Sequence, residues 1–238
     1  MVYPKKNRDA LKLFITSLFD FFAPRTCASC YFNLTATETF ICNKCLSRLT
    51  KTDPIFLQHE YLRHFSHKQT IAGFTSLYVF EKGKEFQNII HAIKYQNKFL
   101  TARYLGMLMG RALASQISGW NIDLIIPIPL HLAKTAERGY NQSLYIAKGL
   151  SLIVQIPLLK NAVKRKKYTS SQTLMSLSER EQNMSGAFSA YKQDIIKGKN
   201  LLLVDDVITT GATINECGKV LKQIGAKNVY AISAAIAE

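Results

Sequence analysis

Apolar residues fall into short blocks whose spacing switches between helix-like and strand-like along the chain. Leu11, Phe14, Ile15, Leu18, Phe19 and Phe22 recur every three or four positions, which predicts an amphipathic helix within residues 1–24 that packs on the body of the protein. Thr16, Ser17 and Asp20 interrupt its apolar run, so it reads neither as a membrane span nor as a signal peptide, with docking on a membrane surface as the lesser alternative. Residues 71–80 predict a strand or hairpin. Phe86, Ile89, Ile90 and Ile93 mark one face of a helix ending near Lys94 and Tyr95; Leu105, Leu108, Met109, Ala112 and Leu113 mark a second helix. A buried strand over residues 122–129 is stopped by Pro127 and Pro129, a helix follows over 141–153, and a short strand over 156–159. Residues 160–177 lack a packing period and read as a mobile basic loop, after which Ser178 is placed to cap a helical turn over 178–183. A strand fragment at Phe188, a buried strand over 201–204, a helix over 212–224 closed by Gly225 and a strand over 228–234 complete the series. Strands alternating with helices predict an α/β fold with a parallel sheet covered on both faces, and ligands in such sheets sit at the strand C-terminal ends.

The chain divides accordingly into a leading helix (residues 1–24), a short module (25–50), a linker (51–70) with surface histidines His59, His64 and His67, and the α/β domain (71–238). The short module carries Cys27, Cys30, Cys42 and Cys45 as two Cys-x-x-Cys turns. Each turn points two sulfurs at one centre, and two turns close a tetrahedron around Zn²⁺. The segment is too small for a core of its own, and a metal would supply folding free energy on the order of 10 kcal/mol. Four thiolates leave no open coordination position, so the zinc is expected to be structural, in the manner of a zinc ribbon. Two disulfides are the competing reading, disfavoured by the lack of a secretion signal. Cys217, inside a helical pattern, reads as a buried core thiol.

The densest chemistry lies in Leu201-Leu-Leu-Val-Asp-Asp-Val-Ile-Thr-Thr-Gly-Ala-Thr213. It reads as a buried strand that ends at Asp205 and Asp206, a tight loop, and a helix N-terminus. Backbone N–H groups at the positive end of a helix suit a phosphate. Thr209, Thr210 and Thr213 add hydroxyls, and Gly211 lets the backbone approach a ligand closely. Two carboxylates beside that grip suit the 2- and 3-hydroxyls of a ribose, so the loop describes a ribose 5-phosphate. It is neither a Walker loop nor a Rossmann fingerprint, since Gly-Lys-Ser/Thr and Gly-x-Gly-x-x-Gly are absent. A second strand exit, Ile126-Pro-Ile-Pro-Leu-His131, is followed by Arg138-Gly-Tyr-Asn-Gln142. Arg138 can grip a phosphate bidentately, Gly139 allows close approach, and Asn141 and Gln142 offer amide donors.

The formal net charge is +15, and residues 71–200 carry 18 basic against 7 acidic groups. Such a field suits a polyanion, either a phosphorylated sugar or nucleic acid, and equally a solvated basic surface. No run of eighteen apolar residues exists, so no membrane span is expected, and the protein is expected in the cytoplasm.

The loop at 204–213 resembles the phosphoribosyl-pyrophosphate (PRPP) loop of type I phosphoribosyltransferases. A longer series is more specific. The paired Cys-x-x-Cys turns come first, then His91-Ala-Ile-Lys-Tyr95, Ile126-Pro-Ile-Pro-Leu-His131 and Arg138-Gly-Tyr-Asn-Gln142. Thr169-Ser-Ser-Gln-Thr173, Arg180-x-x-Asn183, Gly186-Ala-Phe188 and the PRPP-like loop follow in order. Taken together they resemble the ComF family of bacterial competence-associated phosphoribosyltransferase-like proteins. The resemblance implies a type I phosphoribosyltransferase-like domain preceded by a zinc-ribbon module. It implies that Asp205 and Asp206 hold the ribose hydroxyls, directly or through Mg²⁺, and that Val207, Thr209, Thr210, Gly211, Ala212 and Thr213 surround the 5-phosphate. Pro127, Ile128, Pro129, His131, Arg138, Gly139, Asn141 and Gln142 would face the pyrophosphate. Gln172, Arg180 and Asn183 would flank a loop over the site, with Lys94 approaching from the hood side. The basic run Lys164-Arg-Lys-Lys167 departs from the expected pattern and suits either pyrophosphate or DNA. Two functional classes stay open. One is a phosphoribosyltransferase of unknown acceptor, in nucleotide metabolism linked to DNA uptake and transformation. The other is a non-catalytic module that binds PRPP or single-stranded DNA alongside competence proteins.

Overall fold

A computed structural model of the chain describes residues 24–167 and 186–237. The leading helix, the turn at 178–183, and Gln172, Arg180 and Asn183 lie outside the described residues. Four parallel strands form the central sheet: β1 (Gly73–Phe80), β2 (Leu124–Pro127), β5 (Asn200–Ile208) and β6 (Asn228–Ala237), in the spatial order β1-β6-β5-β2. The expected strand at 156–159 is reduced to one parallel bridge, Ile125 with Leu158, on the free edge of β2. Residues 71–80 contribute a single strand and not a hairpin, because β1 finds its partner in β6, register Gly73 to Tyr230, and no return strand is needed.

Side chains of β5 alternate between the two faces, and so do their neighbours. Leu202 and Val204 face a layer made by α3 (Glu85–Tyr95), α4 (Phe99–Gly119) and α6 (Gln142–Val154). Leu201 and Leu203 face α8 (Ala212–Gln223), which follows the one-turn α7 (Gln193–Ile196), together with the antiparallel ribbon β3 (Val163–Arg165) and β4 (Phe188–Ala190). Between α4 and α6 the backbones meet at two glycines. A Cβ on Gly106 would lie 1.9 Å from the Ile146 carbonyl oxygen, and one on Gly149 would lie 1.9 Å from that of Arg103.

Three further readings of the sequence need correction. The strand carrying Asp205 and Asp206 does not stop there; it runs on to Ile208 because β6 continues alongside, pairing Val207 with Ala235 and Ile208 with Ile236. Residues 160–177 are not wholly loop: Val163 is buried and β3 pairs with β4, Val163 against Ala190 and Arg165 against Phe188. A three-residue ribbon strand is too short to produce a period. Residues 51–70 are not a plain linker with surface histidines. They contain helix α2 (Pro54–His64), opened by Pro54 at its first turn and by the Asp53 side chain accepting from Phe56 N. His64 is 6% exposed; its Nε2 lies 3.0 Å from the buried Glu60 carboxylate, and its carbonyl oxygen accepts from Asn215 Nδ2 at 2.9 Å. His59 and His67 do lie at the surface.

The cysteine module, with its short helix α1 (Asn43–Ser47), packs on the α3–α4 side through Cys27, Ala28, Leu34, Ile41 and Leu49, which share a core cluster with Leu77, Tyr78 and Phe86. Residues 50–52 then lie antiparallel to β1, with Val79 N donating to Thr50 O and Thr52 N to Leu77 O, and cover part of that edge strand.

Candidate functional site: the C-terminal edge of the sheet

Strands β2 and β5 pair Ile126 with Leu203 and Pro127 with Val204, so the Pro-rich exit and the aspartates leave the sheet side by side. Ile128 N donates to Val204 O at 2.9 Å and holds the exit against β5. Alternation along β5 gives the two carboxylates different surroundings. Asp206 points with Leu202 and Val204 towards α3 and α6: Lys94 Nζ lies 2.8 Å from its Oδ2, and Gln142 Nε2 donates to the same oxygen at 3.4 Å. Asp205 accepts from Ser143 Oγ at 2.8 Å and from Asp206 N at 2.9 Å, with Arg165 and Cys217 within electrostatic reach.

Their protonation follows. Burial, then the charge of Asp206, raises Asp205 from its ordinary 3.8 to about 7. Burial acts on Asp206 in the same sense, but the Lys94 charge and hydrogen bond outweigh it and hold Asp206 below the usual carboxylate range. At neutral pH the edge therefore presents one firmly ionised carboxylate and one poised close to titration.

After Ile208 the chain turns through Thr209 and Thr210 into Gly211, at φ 69°, and α8 begins at Ala212. Thr210 Oγ1 accepts from Ala212 N at 3.4 Å. The first turn of α8 supplies N–H groups that the helix itself does not use. Gly211 also meets a close neighbour from outside the α/β domain, since a Cβ there would lie 2.9 Å from Phe65 Cε1.

Across the edge, α5 (Leu132–Arg138) starts with His131 Nδ1 accepting from Ala133 N at 3.2 Å and ends at Gly139, φ 77°. Asn141 caps α6 through Ser143 N and donates from Nδ2 to Ile128 O at 2.9 Å, tying the two loops together. Arg138 donates to Gln142 Oε1 at 3.2 Å and lies 5.6 Å from the Tyr95 ring centre; its buried Nε has no hydrogen-bond partner among the described residues. The structure thus gathers Lys94, Pro127–His131, Arg138–Gln142, Asp205, Asp206 and residues 207–213 at one edge, while Gln172 and Arg180 lie outside the described residues.

Two participants, Ser143 and Lys134, had not been picked out in the sequence, and a third, Arg165, had been seen only as part of a basic run. Ser143 directly follows the Arg138–Gln142 motif and holds Asp205. Lys134 sits on α5 with its pKa lowered by burial and by the charges of Arg165, Arg138 and Lys94. Arg165 comes from β3, its pKa also lowered by burial. The ribbon pairing sets its guanidinium 5.5 Å from the Phe188 ring centre and within electrostatic reach of Asp205. The arrangement can hold an anion against four cations that raise the electrostatic cost of one another, next to two diol acceptors.

A second candidate centre lies in the cysteine module. The sulfurs of Cys27, Cys30, Cys42 and Cys45 all lie within 4.8 Å of one another, with 3.8 Å between those of Cys30 and Cys42. Zn–S bonds of about 2.3 Å in a tetrahedron put sulfurs roughly 3.8 Å apart, whereas a disulfide needs about 2.05 Å. Ser29 N and Cys42 N donate to Cys27 Sγ, and Cys45 N donates to Cys42 Sγ. Burial acts to raise the Cys27 pKa, yet the N–H donors of Cys30, Cys42 and Ser29 bring it down to about 7, whereas burial raises Cys30 and, further, Cys45. The donor set fits a zinc ion. No helix among the described residues is long and apolar enough to cross a membrane.

Comparisons with known proteins bear on the family and not on the individual site residues. The phosphoribosyl transferase domain family matches residues 140–237. Competence protein F of Haemophilus influenzae (strain ATCC 51907 / DSM 11121 / KW20 / Rd) is 38% identical over 145 residues, which span 59% of this chain and 63% of that protein, less than two thirds of its length. DNA utilization protein YhgH of Escherichia coli (strain K12) is 28% identical over 217 residues, covering 87% of this chain and 94% of that protein. Among solved structures, the purine phosphoribosyltransferase from Pyrococcus horikoshii Ot3 aligns at 22% identity and TM-score 0.38, covering 56% of this chain and 74% of that one. Residues 140–237 thus carry a phosphoribosyl transferase domain on a parallel-sheet α/β fold, and the chain is similar to competence protein F and the YhgH proteins, relatives of the ComF kind.

Proposed function

We propose that the sheet edge binds PRPP and that the protein transfers the phosphoribosyl group to an acceptor in a pathway tied to DNA uptake. The observation that carries this reading is the juxtaposition of Asp205 and Asp206 with the Gly211 turn on one side and the Pro127–His131 exit on the other. In this assignment Asp205 and Asp206 accept hydrogen bonds from the ribose hydroxyls. Thr209, Thr210, Gly211, Ala212 and Thr213, with Val207 behind them, take the 5-phosphate. Pro127, Ile128, Pro129, His131, Gly139 and Arg138 face the pyrophosphate, with Lys94 and Gln142 alongside and Gln172 and Arg180 contributed by residues outside those described. The 25–50 module and the 71–238 domain then act as structural and ligand-binding units of one cytoplasmic protein.

Two carboxylates are hard oxygen donors and fit the Mg²⁺ that accompanies a polyphosphate. Bound with PRPP, Mg²⁺ supplies charge neutralisation on the leaving pyrophosphate. The protein's own residues do the rest. Arg138 and Lys134 stabilise the charge that grows on the leaving group. The ionised Asp206 stabilises the positive sugar as the C1–O bond lengthens, and the loops hold the anomeric carbon in line with the acceptor. Zinc in the cysteine module has no part in this step; it holds Cys27, Cys30, Cys42 and Cys45 together and keeps the module packed on Leu77 and Phe86.

The test is pyrophosphate release from PRPP and Mg²⁺ across a panel of free bases and amines. Release dependent on one acceptor, lost in Asp206→Ala, supports the transferase. The second reading, a module that binds PRPP or single-stranded DNA beside competence proteins without turnover, is favoured by the excess of cations in residues 71–200. It is supported if salt-sensitive DNA binding is found with no release for any acceptor.

A further inference from the structure

Tyr140 is a buried ionisable side chain inside the Arg138–Gln142 stretch, and the assignment above gives it no part. Its hydroxyl donates to the carbonyl of Ile93, in the last turn of α3. That carbonyl needs a donor from outside the helix. Gln96 N donates to Ala92 O, and the chain then leaves α3 through Asn97 at φ 55°, so the Ile93 carbonyl is left without a helical partner. Ile93 is itself fully buried, where an unpaired carbonyl is costly.

The ring is held as firmly as the hydroxyl. Phe99, the first residue of α4, meets it edge-on with 5.9 Å between ring centres, and Tyr145 of α6 does so at 5.4 Å. Burial pushes the phenol up to about 12, so it remains a donor throughout the neutral range.

The residue after Ile93 is Lys94, whose Nζ lies 2.8 Å from Asp206 Oδ2. A lysine carries its charge on a long flexible stem with no fixed fork. The place of its ammonium therefore depends on the backbone from which the stem starts. The 138–142 stretch grips that backbone on either side of Lys94: Tyr140 at Ile93, and Arg138 at Tyr95, with 5.6 Å from guanidinium to ring centre. Tyr95 is exposed, so the grip on Ile93 is the buried one. Two residues past Tyr140, Gln142 Nε2 donates to the same Asp206 oxygen that Lys94 pairs with. One short stretch thus ties the end of α3 to the carboxylate on β5.

We propose that Tyr140 is a positioning residue: by capping the Ile93 carbonyl it sets the last turn of α3 and so places the Lys94 ammonium on Asp206. It acts through Lys94. The inference rests on the PRPP reading for the use to which the Lys94–Asp206 pair is put, whereas the placement of Lys94 belongs to the free protein and is measured without a ligand.

The experiment uses the zinc-loaded full chain. Tyr140→Phe removes one oxygen and keeps the ring, and a melting curve checks that the variant is folded. Tyr145→Phe, from the same aromatic cluster, is the control. The ligand-free proteins are treated with trace acetic anhydride at mildly alkaline pH, and acetylation of each lysine is followed by mass spectrometry. Lys84 and Lys199, paired at the surface with Glu81 and Asp123, serve as internal references. Lys94 is expected to react at least about threefold faster in Tyr140→Phe than in wild type, the scale set by one lost hydrogen bond, with the references and the Tyr145→Phe protein unchanged. Equal reactivity of Lys94 in Tyr140→Phe and wild type overturns the proposal, and so does an acceleration shared by Lys84 and Lys199, which marks general loosening. Calorimetric titration with PRPP and Mg²⁺ then compares Tyr140→Phe, Lys94→Met and the double variant. Tyr140→Phe is expected to weaken binding about threefold or more on its own and less than about twofold in the Lys94→Met background. The same weakening in both backgrounds overturns action through Lys94. Absence of PRPP binding in wild type defeats the PRPP reading alone, and the acetylation result still decides the role of Tyr140.

Discussion

Asp205 and Asp206 are adjacent in sequence, yet strand geometry sends them to opposite faces and gives them opposite proton affinities. Asp205, raised to about 7, favours the protonated form in the folded protein. Its effect is to lower stability progressively as pH rises from about 4 to about 7, because the folded state then holds the proton that the unfolded state has lost. Asp206 acts in the other sense: its contribution is full above the ordinary carboxylate pKa and is lost only in acid. Asp205→Asn is therefore expected to remove a stability loss across pH 4 to 7, seen as a melting temperature that falls less over that range than in wild type. Parallel curves for the two proteins would show that Asp205 is ordinary. Lys94→Met tests the partner. It leaves Asp206 buried without its cation, held by the long bond from Gln142 and the Val207 N–H, and the expected cost in urea unfolding at pH 7 is about 1–3 kcal/mol, reduced from that of a fully buried pair because Lys94 keeps access to solvent. An unchanged midpoint would mean that the pair does not form in solution.

At the scale of elements, two close approaches carry the architecture. Gly211 combines a left-handed φ with the Phe65 ring, so the end of α2 presses on the turn that opens α8. Gly211→Ala is expected to cost about 1–3 kcal/mol from backbone strain and overpacking, and to weaken PRPP binding together with stability. Loss of stability with unchanged PRPP affinity would separate the turn from the ligand. Gly149→Ala pushes α6 off α4 at a 1.9 Å clash with backbone, and an expected loss of about 2–3 kcal/mol is read from the same unfolding curves. The long elements were legible in the sequence because their burial has a period: Phe86, Ile89, Ile90 and Ile93 do face the core of α3, and Leu201–Val204 are buried in β5. Short or context-made elements were not. The β3 strand exists only through its pairing with Phe188–Ala190. Helix α2 has a weak apolar stripe and is held by the buried Glu60–His64 pair and by Asn215, contacts that no local pattern announces. The extension of β5 past the aspartates depends on β6, 28 residues away at Asp205–Ser233.

For the whole molecule, the cysteine module and the α/β domain share one core cluster, in which Cys27, Ile41 and Leu49 pack with Leu77, Tyr78 and Phe86. Metal analysis is expected to give about one zinc per chain. Stripping it should expose that apolar face, measured as increased dye binding and a lowered melting temperature; a metal-free protein with an unchanged melting curve would rule out a structural zinc. The position of the PRPP-like site was readable because its motif places acid, glycine and hydroxyl residues next to each other. The cavity lined by Pro127, His131, Lys164 and Tyr191 was not, since its lining is assembled from the β2 exit, α5, α6, β3 and Tyr191, separated in sequence and without a common spacing. The most direct measurement is calorimetric titration of the zinc-loaded protein with PRPP and Mg²⁺, run beside the Asp205→Ala/Asp206→Ala variant. Saturable binding at about one PRPP per chain in wild type, abolished in the folded variant, is the expected result. Equal binding by both proteins, or none by wild type at saturating PRPP, would contradict a phosphoribose site at the end of β5.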